Sequence, residues 1–537
     1  MNIRVSRREF VSRTLTAAVV GSVAGASKAL ADQRTARGDS LPKRPNILFA
    51  ISDDQTWAHT SAMGSKMVRT PAFDRVARMG ALVTQAFCAA PQCSPCRASL
   101  LTGRNIWQNE EAGVHASSFP RKFPVYTDLL EQAGYFVGCT GKGWAPGSQQ
   151  GWERNPAGPG YNKRKLATRP ARGIANNDYA SNFADFLAER PKDKPFCFWY
   201  GCFEPHRDYE QGSGLKAGKK LADAEVPAFL PDTETVRHDL LDYALEIEHF
   251  DAHLGRMIDQ LDKAGELDNT LIVVTGDNGM PFPRAKANLY EYGIHMPMAV
   301  CWPARMPGGR KIDDLVAFVD LAPTFLEAAG LSPAPGMVGR SLLNVLASEK
   351  SGRVDESRTA VLCGRERHTH ARPDNLCYPA RCIRTQEYLY IWNMAPDRWP
   401  MGDADGKGGF HDIDVGPSKS VLLNGREDPA IRPFFELAVA KRPGEELYDI
   451  RTDPACVKNL AGREELASVR RDLRTRLETM LREQGDPRVL GYGDIFESYP
   501  RYSAMRPQLG GFAEKGKYNP EYARKAAEAK AAAEKKN

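Results

Sequence analysis

Five short apolar runs punctuate the chain: NILFAIS (46–52), YFVGCTG (135–141), FCFWYGCF (196–203), TLIVVTG (270–276) and MAVCWP (298–303). Runs of this length without strict alternation suit strands buried on both faces, and helical patterns lie between them. That alternation predicts an α/β fold, a large, mainly parallel sheet flanked by helices. The longest helix is expected over about 233–264, where Leu240, Leu241, Ala244, Ile247, Leu254, Ile258 and Leu261 recur at helical spacing. Its His249 and His253 read as structural. From about residue 358 the pattern turns to polar loops, two short strands (ARCIRT, YLYIWNM) and a helix near 464–484, a smaller α+β domain expected over 358–511. The catalytic unit would occupy 44–357, and the Ala/Lys/Glu-rich tail at 512–537 lacks an apolar face.

The first residues stand apart from this pattern. SRREFV (6–11) sets paired arginines before a weakly apolar, small-residue run that ends in A-x-A at Ala29 and Ala31, as in a twin-arginine export signal. We therefore expect a leader at 1–31, a linker at 32–43, passage through the Tat translocase, and a periplasmic or secreted protein. No later run is long enough for a transmembrane helix, so an integral membrane protein is not expected.

Composition adds little to that picture. A net charge of +6, from 73 basic and 67 acidic residues, is too mild to point to nucleic acid. The eleven cysteines sit mostly in apolar runs and read as core thiols. Two of them, Cys93 and Cys96 in CSPCR, stand just ahead of a helical stretch, a spacing open to a redox couple, half a metal site or neither.

Chemistry concentrates after the strands, where α/β sheets gather their ligands. Asp53 and Asp54 follow the first run, Lys142 the second, His206 and Arg207 the third, and Asp277 and Asn278 the fourth. Asp-Asp opposite Asp-Asn offers only hard oxygen donors, which suits Ca²⁺, with Mg²⁺ second, rather than Zn²⁺. Arg97, Lys142, Lys286 and His206 supply the positive charge that a tetrahedral oxyanion needs, so sulfate or phosphate transfer is the implied class.

At this point CSPCRASLLTGR (93–104) resembles the sulfatase signature, C-x-P-x-R followed by x-x-x-L-T-G-R, through Cys93, Pro95, Arg97, Leu101, Thr102, Gly103 and Arg104. NILFAISDDQ, TGKGW, TGDNGMPFPRAKANLYEYGI and ELYDIRTDPACVKNLA extend the resemblance from residue 45 to about 484. The chain is identified as a member of the formylglycine-dependent sulfatases, of alkaline phosphatase-like fold. FEPHRDYE, DNGMPFP and YPARCIRTQEYLYIWN are most similar to the heparan N-sulfatase branch.

The resemblance implies a hydrolase that removes O-sulfate or N-sulfate from a sulfated sugar. A formylglycine-generating enzyme would convert Cys93 to formylglycine, Arg97 would hold that group, and Asp53, Asp54, Asp277 and Asn278 would bind Ca²⁺ together with the oxygen at position 93. Lys142 and Lys286 would clamp sulfate, with Arg284 the alternative to Lys286, and His206 would help protonate the leaving group. His368 and His370 are candidate substrate contacts. One position departs from the family pattern: Trp144 stands where a histidine is common, so either His115 or His295 substitutes as the base or the chain belongs to a subgroup that manages without one. A phosphodiesterase or phosphonate hydrolase, and a glycan-binding protein without catalysis, are the competing readings.

Overall fold

The computed structural model describes residues 44–149, 151–404 and 409–510. The leader expected at 1–31, the linker at 32–43 and the tail at 512–537 lie outside the described residues. Within them, no helix is long and apolar enough to cross a membrane.

Eight strands form the main sheet: β1 (Asn46–Ser52), β2 (Ala81–Phe87), β3 (Phe136–Gly141), β4 (Phe196–Gly201), β5 (Thr270–Gly276), β6 (His295–Cys301), β7 (Arg310–Ile312) and β8 (Val316–Ala317). Their order is β3-β4-β1-β5-β6-β2-β7, with β8 also on β2. β3, β4, β1 and β5 run parallel, with Ile47 opposite both Cys197 and Leu271. β1 explains why its sequence is apolar throughout. Ile47, Phe49 and Ile51 enter one hydrophobic cluster while Leu48 and Ala50 enter another on the opposite face, so neither side can be polar.

Two strands differ from expectation. β6 begins at His295, three residues before the predicted run, and is antiparallel to both β5 and β2. β2, ALVTQAF, mixes polar and apolar residues too evenly to stand out as a strand, and its pairing shifts register between Val83 and Ala86.

The long helix spans Glu234–Lys263, and the Thr233 side chain accepts a hydrogen bond from the Val236 N–H at 3.3 Å, a cap of the kind Thr makes readily. His249 and His253 are buried on it, their rings edge-on at 4.6 Å, and His253 Nδ1 accepts from the Ala180 N–H.

A second, antiparallel sheet has the order β12-β11-β10-β9, from β9 (Val361–Arg365), β10 (Ala380–Arg384), β11 (Tyr388–Asn393) and β12 (Glu445–Asp449). The helix Ala467–Glu483 covers it, packing Leu473, Leu477 and Leu481 near Ile383 and Tyr390. Cys363, Cys382 and Leu389 of this sheet share one cluster with Phe49 and Val273 of the main sheet. The change near residue 358 is therefore a change of sheet around a continuous core.

Candidate active site

The parallel strands β3, β4, β1 and β5 are neighbours, so the loops after them open side by side. There they line a cavity of about 530 Å³ with Asp53, Cys93, Lys142, His206 and Lys286 among its walls. Cys93 is the first residue of the helix Cys93–Thr102, which Gly103 closes at φ 63°. The free N–H groups of a helix start favour an anion beside it.

Beneath the cavity the charges alternate. Arg97, fully buried, donates from Nε to Asp277 Oδ2 at 2.8 Å and from Nη1 to the Lys142 and Gly143 carbonyls at 2.6 and 3.1 Å. Lys142 Nζ donates to Asp53 Oδ2 at 2.5 Å, and Lys286 Nζ to Asp54 Oδ2 at 2.6 Å. Burial favours loss of the Lys142 proton, but Asp53 outweighs it and keeps the ammonium above the usual lysine range. Burial and the neighbouring Asp53 push the Asp277 carboxyl up to about 7. Packed acids that cannot all ionise together call for a further cation.

The donor set fits one. An oxygen each from Asp53, Asp54 and Asp277 can converge on a single ion. Asp53 Oδ1 and Asn278 Oδ1 are buried there without a hydrogen-bond partner, and Asn278 Nδ2 donates to Asp54 Oδ1 at 2.6 Å, orienting the amide. Asp54 holds φ at 73°, a conformation costly for a residue with a side chain and common where function requires it.

Cys93 itself is a poor thiol nucleophile. Burial, reinforced by Asp53, pushes its thiol well above the ordinary range despite Lys142 and Lys286, and the thiolate is the reactive form. Its Sγ lies 3.9 Å from Asp54 Oδ1. Cys96 does not line the cavity and is buried in the same hydrophobic cluster as Cys88. All eleven thiols are buried and free, so the C-x-x-C spacing makes no disulfide.

His206 donates from Nδ1 to the Arg207 carbonyl at 2.6 Å, and its Nε2 lies 3.8 Å from Asp54 Oδ2. Arg284, the alternative to Lys286, stacks on Tyr290 at 4.0 Å and donates to the Leu437 and Cys456 carbonyls, so it braces the segments on either side of the strand Glu445–Asp449 instead. Trp144 is fully buried against Phe119, and its Nε1–H donates to the Ser94 carbonyl at 3.0 Å.

His368 reaches the cavity wall from the loop after β9, but His370 does not. His370 instead accepts the Arg506 N–H on Nδ1 at 2.7 Å, away from the residues that line the cavity. His295 is likewise remote: its Nδ1 meets Glu291 Oε2, its Nε2 meets the Thr84 carbonyl, and its ring stacks on Trp57.

Asp414 escaped sequence reasoning. It lines the cavity with its carboxylate 3.2 Å from Lys286 Nζ. Burial would raise its carboxyl, but Lys286 and His206 hold it down to about 2. It comes from an irregular loop whose sequence, HDIDVG, carries no motif.

With this geometry in place, comparison with known proteins gives a consistent result. The family model described as Sulfatase matches residues 45–331, and one described as N-sulphoglucosamine sulphohydrolase, C-terminal, matches 284–407. The chain is 28% identical over 506 residues to the human N-sulphoglucosamine sulphohydrolase, covering 84% of this chain and 93% of that one. It is 25% identical over 523 residues to an ulvan-active sulfatase of Formosa agariphila, with 87% and 80% covered. A protein solved in complex with its substrate D-glucosamine-2-N,6-O-disulfate shares the fold with a TM-score of 0.60, at 21% identity, over 83% of this chain and 99% of that chain.

Proposed function

The chain belongs to the sulfatase family and is a sulfuric ester or sulfamate hydrolase, and from that premise we propose that it removes sulfate from a sulfated sugar using formylglycine made from Cys93 and a bound Ca²⁺. The observation that carries this reading is the ring of oxygen donors and buried cations around Cys93. The metal would be held by Asp53, Asp54, Asp277 and Asn278 and would supply charge neutralisation for the sulfate and the attacking oxygen. Formylglycine would supply an oxygen nucleophile that regenerates after each turnover, which the buried thiol cannot.

The chain's own residues account for the remaining tasks. Lys142 and Lys286 line the cavity beside Cys93 and bind oxygens of sulfate, each kept protonated by its aspartate. Asp414 aims Lys286. Arg97 fixes Asp277 below, so the floor keeps its shape as charge develops. His206, anchored through Nδ1, presents Nε2 to the leaving group and, as the imidazolium with a proton on each nitrogen, delivers the proton it needs.

For the substrate we favour N-sulfoglucosamine at the end of a glycosaminoglycan fragment. The C-terminal family match and the human relative support this choice, since the cavity wall contributed by His368 and Asp414 lies in or beside the matched region. Arg7 and Arg8 support export by the Tat route before or as the protein takes up its work on extracellular glycans.

Sulfate release from a defined panel tests the reading: N-sulfo, 2-O-, 3-O- and 6-O-sulfo glucosamines, sulfated ulvan oligosaccharides, and a phosphate diester. We expect the N-sulfo sugar to give the highest kcat/KM. Preference for an O-sulfate would move the substrate within the family, and preference for the phosphodiester would overturn the sulfatase reading.

A further inference from the structure

A hydrolase working through an oxygen at position 93 needs a group to take that oxygen's proton, and none of the roles assigned above provides it. Lys142 and Lys286 are held protonated by aspartates. His206 keeps Nδ1 on a carbonyl, but its Nε2, 3.8 Å from Asp54 Oδ2, is given to the leaving group. Trp144 has no lone pair to offer, its N–H being committed to Ser94. His295 has both ring nitrogens occupied.

His115 has been given no other task. It lines the same cavity as Cys93. Its Nδ1 lies 3.0 Å from the carbonyl oxygen of His368. A carbonyl only accepts, so Nδ1 carries the ring proton and Nε2 keeps its lone pair. Nε2 has no protein partner among the described residues.

The backbone around it is fixed on three sides. The His115 N–H donates to the Arg367 carbonyl at 3.3 Å, the Ala116 N–H to Ser94 Oγ at 3.1 Å, and the Tyr502 N–H to the Ala116 carbonyl at 2.6 Å. Ser94 directly follows Cys93, so the second of these ties the His115 loop to the start of the Cys93 helix. Ala116 sits at φ 57°, a conformation unfavourable for alanine that these three bonds hold in place.

We propose that His115 Nε2 is the proton acceptor for the oxygen borne at position 93. The inference rests on the reading of Cys93 as the nucleophile position. In the step, the O–H bond breaks and its electron pair stays on oxygen. The proton forms a new bond to Nε2, and the resulting imidazolium keeps its Nδ1–H on the His368 carbonyl and later yields the proton to water in the cavity. Burial, with His368, Arg501, Lys286 and Lys142 facing the ring, holds it well below the ordinary histidine range, so the lone pair stays free at neutral pH.

His115→Asn tests this, because the Asn amide can still donate to the His368 carbonyl while Nε2 is lost. We expect kcat to fall about 100- to 10,000-fold, with the melting temperature and the affinity for inorganic sulfate unchanged. His115→Ala should lose as much and regain activity with added imidazole. Independently of turnover, histidine ¹⁵N spectra of the full chain with unmodified Cys93 should show His115 protonated on Nδ1 and bare on Nε2.

Near-normal kcat in His115→Asn, with Cys93→Ala inactive, overturns the proposal alone, as does a proton on Nε2 in the neutral ring. Activity persisting in Cys93→Ala overturns the parent reading and the proposal with it. Should His115→Asn melt early, the imidazole response of His115→Ala decides: rescue supports the role and its absence refutes it.

Discussion

Arg97 offers the sharpest test of how the site floor is held together. It has no solvent exposure, and its guanidinium meets Asp277 at 2.8 Å and Asp53 at 3.7 Å. Replacing it by Met keeps most of the stem's volume but leaves Asp277 buried without its cation and the Gly143 carbonyl without its donor. Breaking one half of a buried pair costs about 3–5 kcal/mol, and an orphaned carbonyl adds about 1–3 kcal/mol where water cannot reach it. Asp277→Asn strands the guanidinium at a similar cost. The double variant Arg97→Met/Asp277→Asn leaves neither charge uncompensated, so its cost falls short of the sum of the singles by at least ~2 kcal/mol. Urea unfolding of the four proteins in chelator, where no ion can replace the guanidinium, measures the cycle. Single costs that add within about 0.5 kcal/mol would mean the two groups act independently, and the account of a charge-locked floor would be wrong.

Three further outcomes follow from the same contacts. Adding Ca²⁺ to chelated protein should raise the free energy of unfolding progressively, by about 2.7 kcal/mol at a hundredfold excess over Kd; the rise should shrink in Asp54→Asn, and no rise in the unaltered chain would remove the cation from the account. Arg384 and His295 overcome burial and hold the Glu291 carboxyl down to about 2, so its stabilisation is full above pH 4.5 and is lost as pH falls toward 2. A displacement of about 2.5 units corresponds to roughly 3 kcal/mol, and Glu291→Gln should flatten the acid limb of a stability-against-pH curve in that window; an unchanged limb would contradict the pairing. Trp144→Phe should cost about 1–2 kcal/mol for the lost bond to Ser94 and Trp144→Ala about 3–5 kcal/mol, measured by the same unfolding assay. Equal costs would show that the bond, not the packing, is what Trp144 contributes.

Legibility in the sequence followed burial. β1 and β5 were readable to the residue because each buries both faces and no polar position interrupts the run, and the residues just past them are the site's acids. The Cys93 motif was readable because its spacing is local to one helix start. β2 and the first residues of β6 were not: Gln85 and Thr84 lie among apolar neighbours, and His295 opens β6 as a buried polar residue one of whose partners, the Thr84 carbonyl, only the fold brings near. The loops of the second sheet were opaque for a different reason. Without a period, RERHTHARPDN says nothing of direction, so His368 and His370 looked equivalent although one faces the cavity and the other Arg506. Asp414 could be found only once the fold had carried its loop across to Lys286.

The central claim is that position 93 carries the reaction, and sulfate release by Cys93→Ala tests it most directly. Cys93 is buried beside the cavity, and replacing its side chain with a methyl removes only the long, weak Sγ–H contact to Asp54 Oδ1 at 3.9 Å, so the variant should fold with a nearly unchanged melting temperature. The account predicts a loss on the order of 10⁴-fold or more in kcat on the preferred sulfated sugar, as expected when a nucleophile is deleted. Turnover within tenfold of the unaltered chain would contradict it.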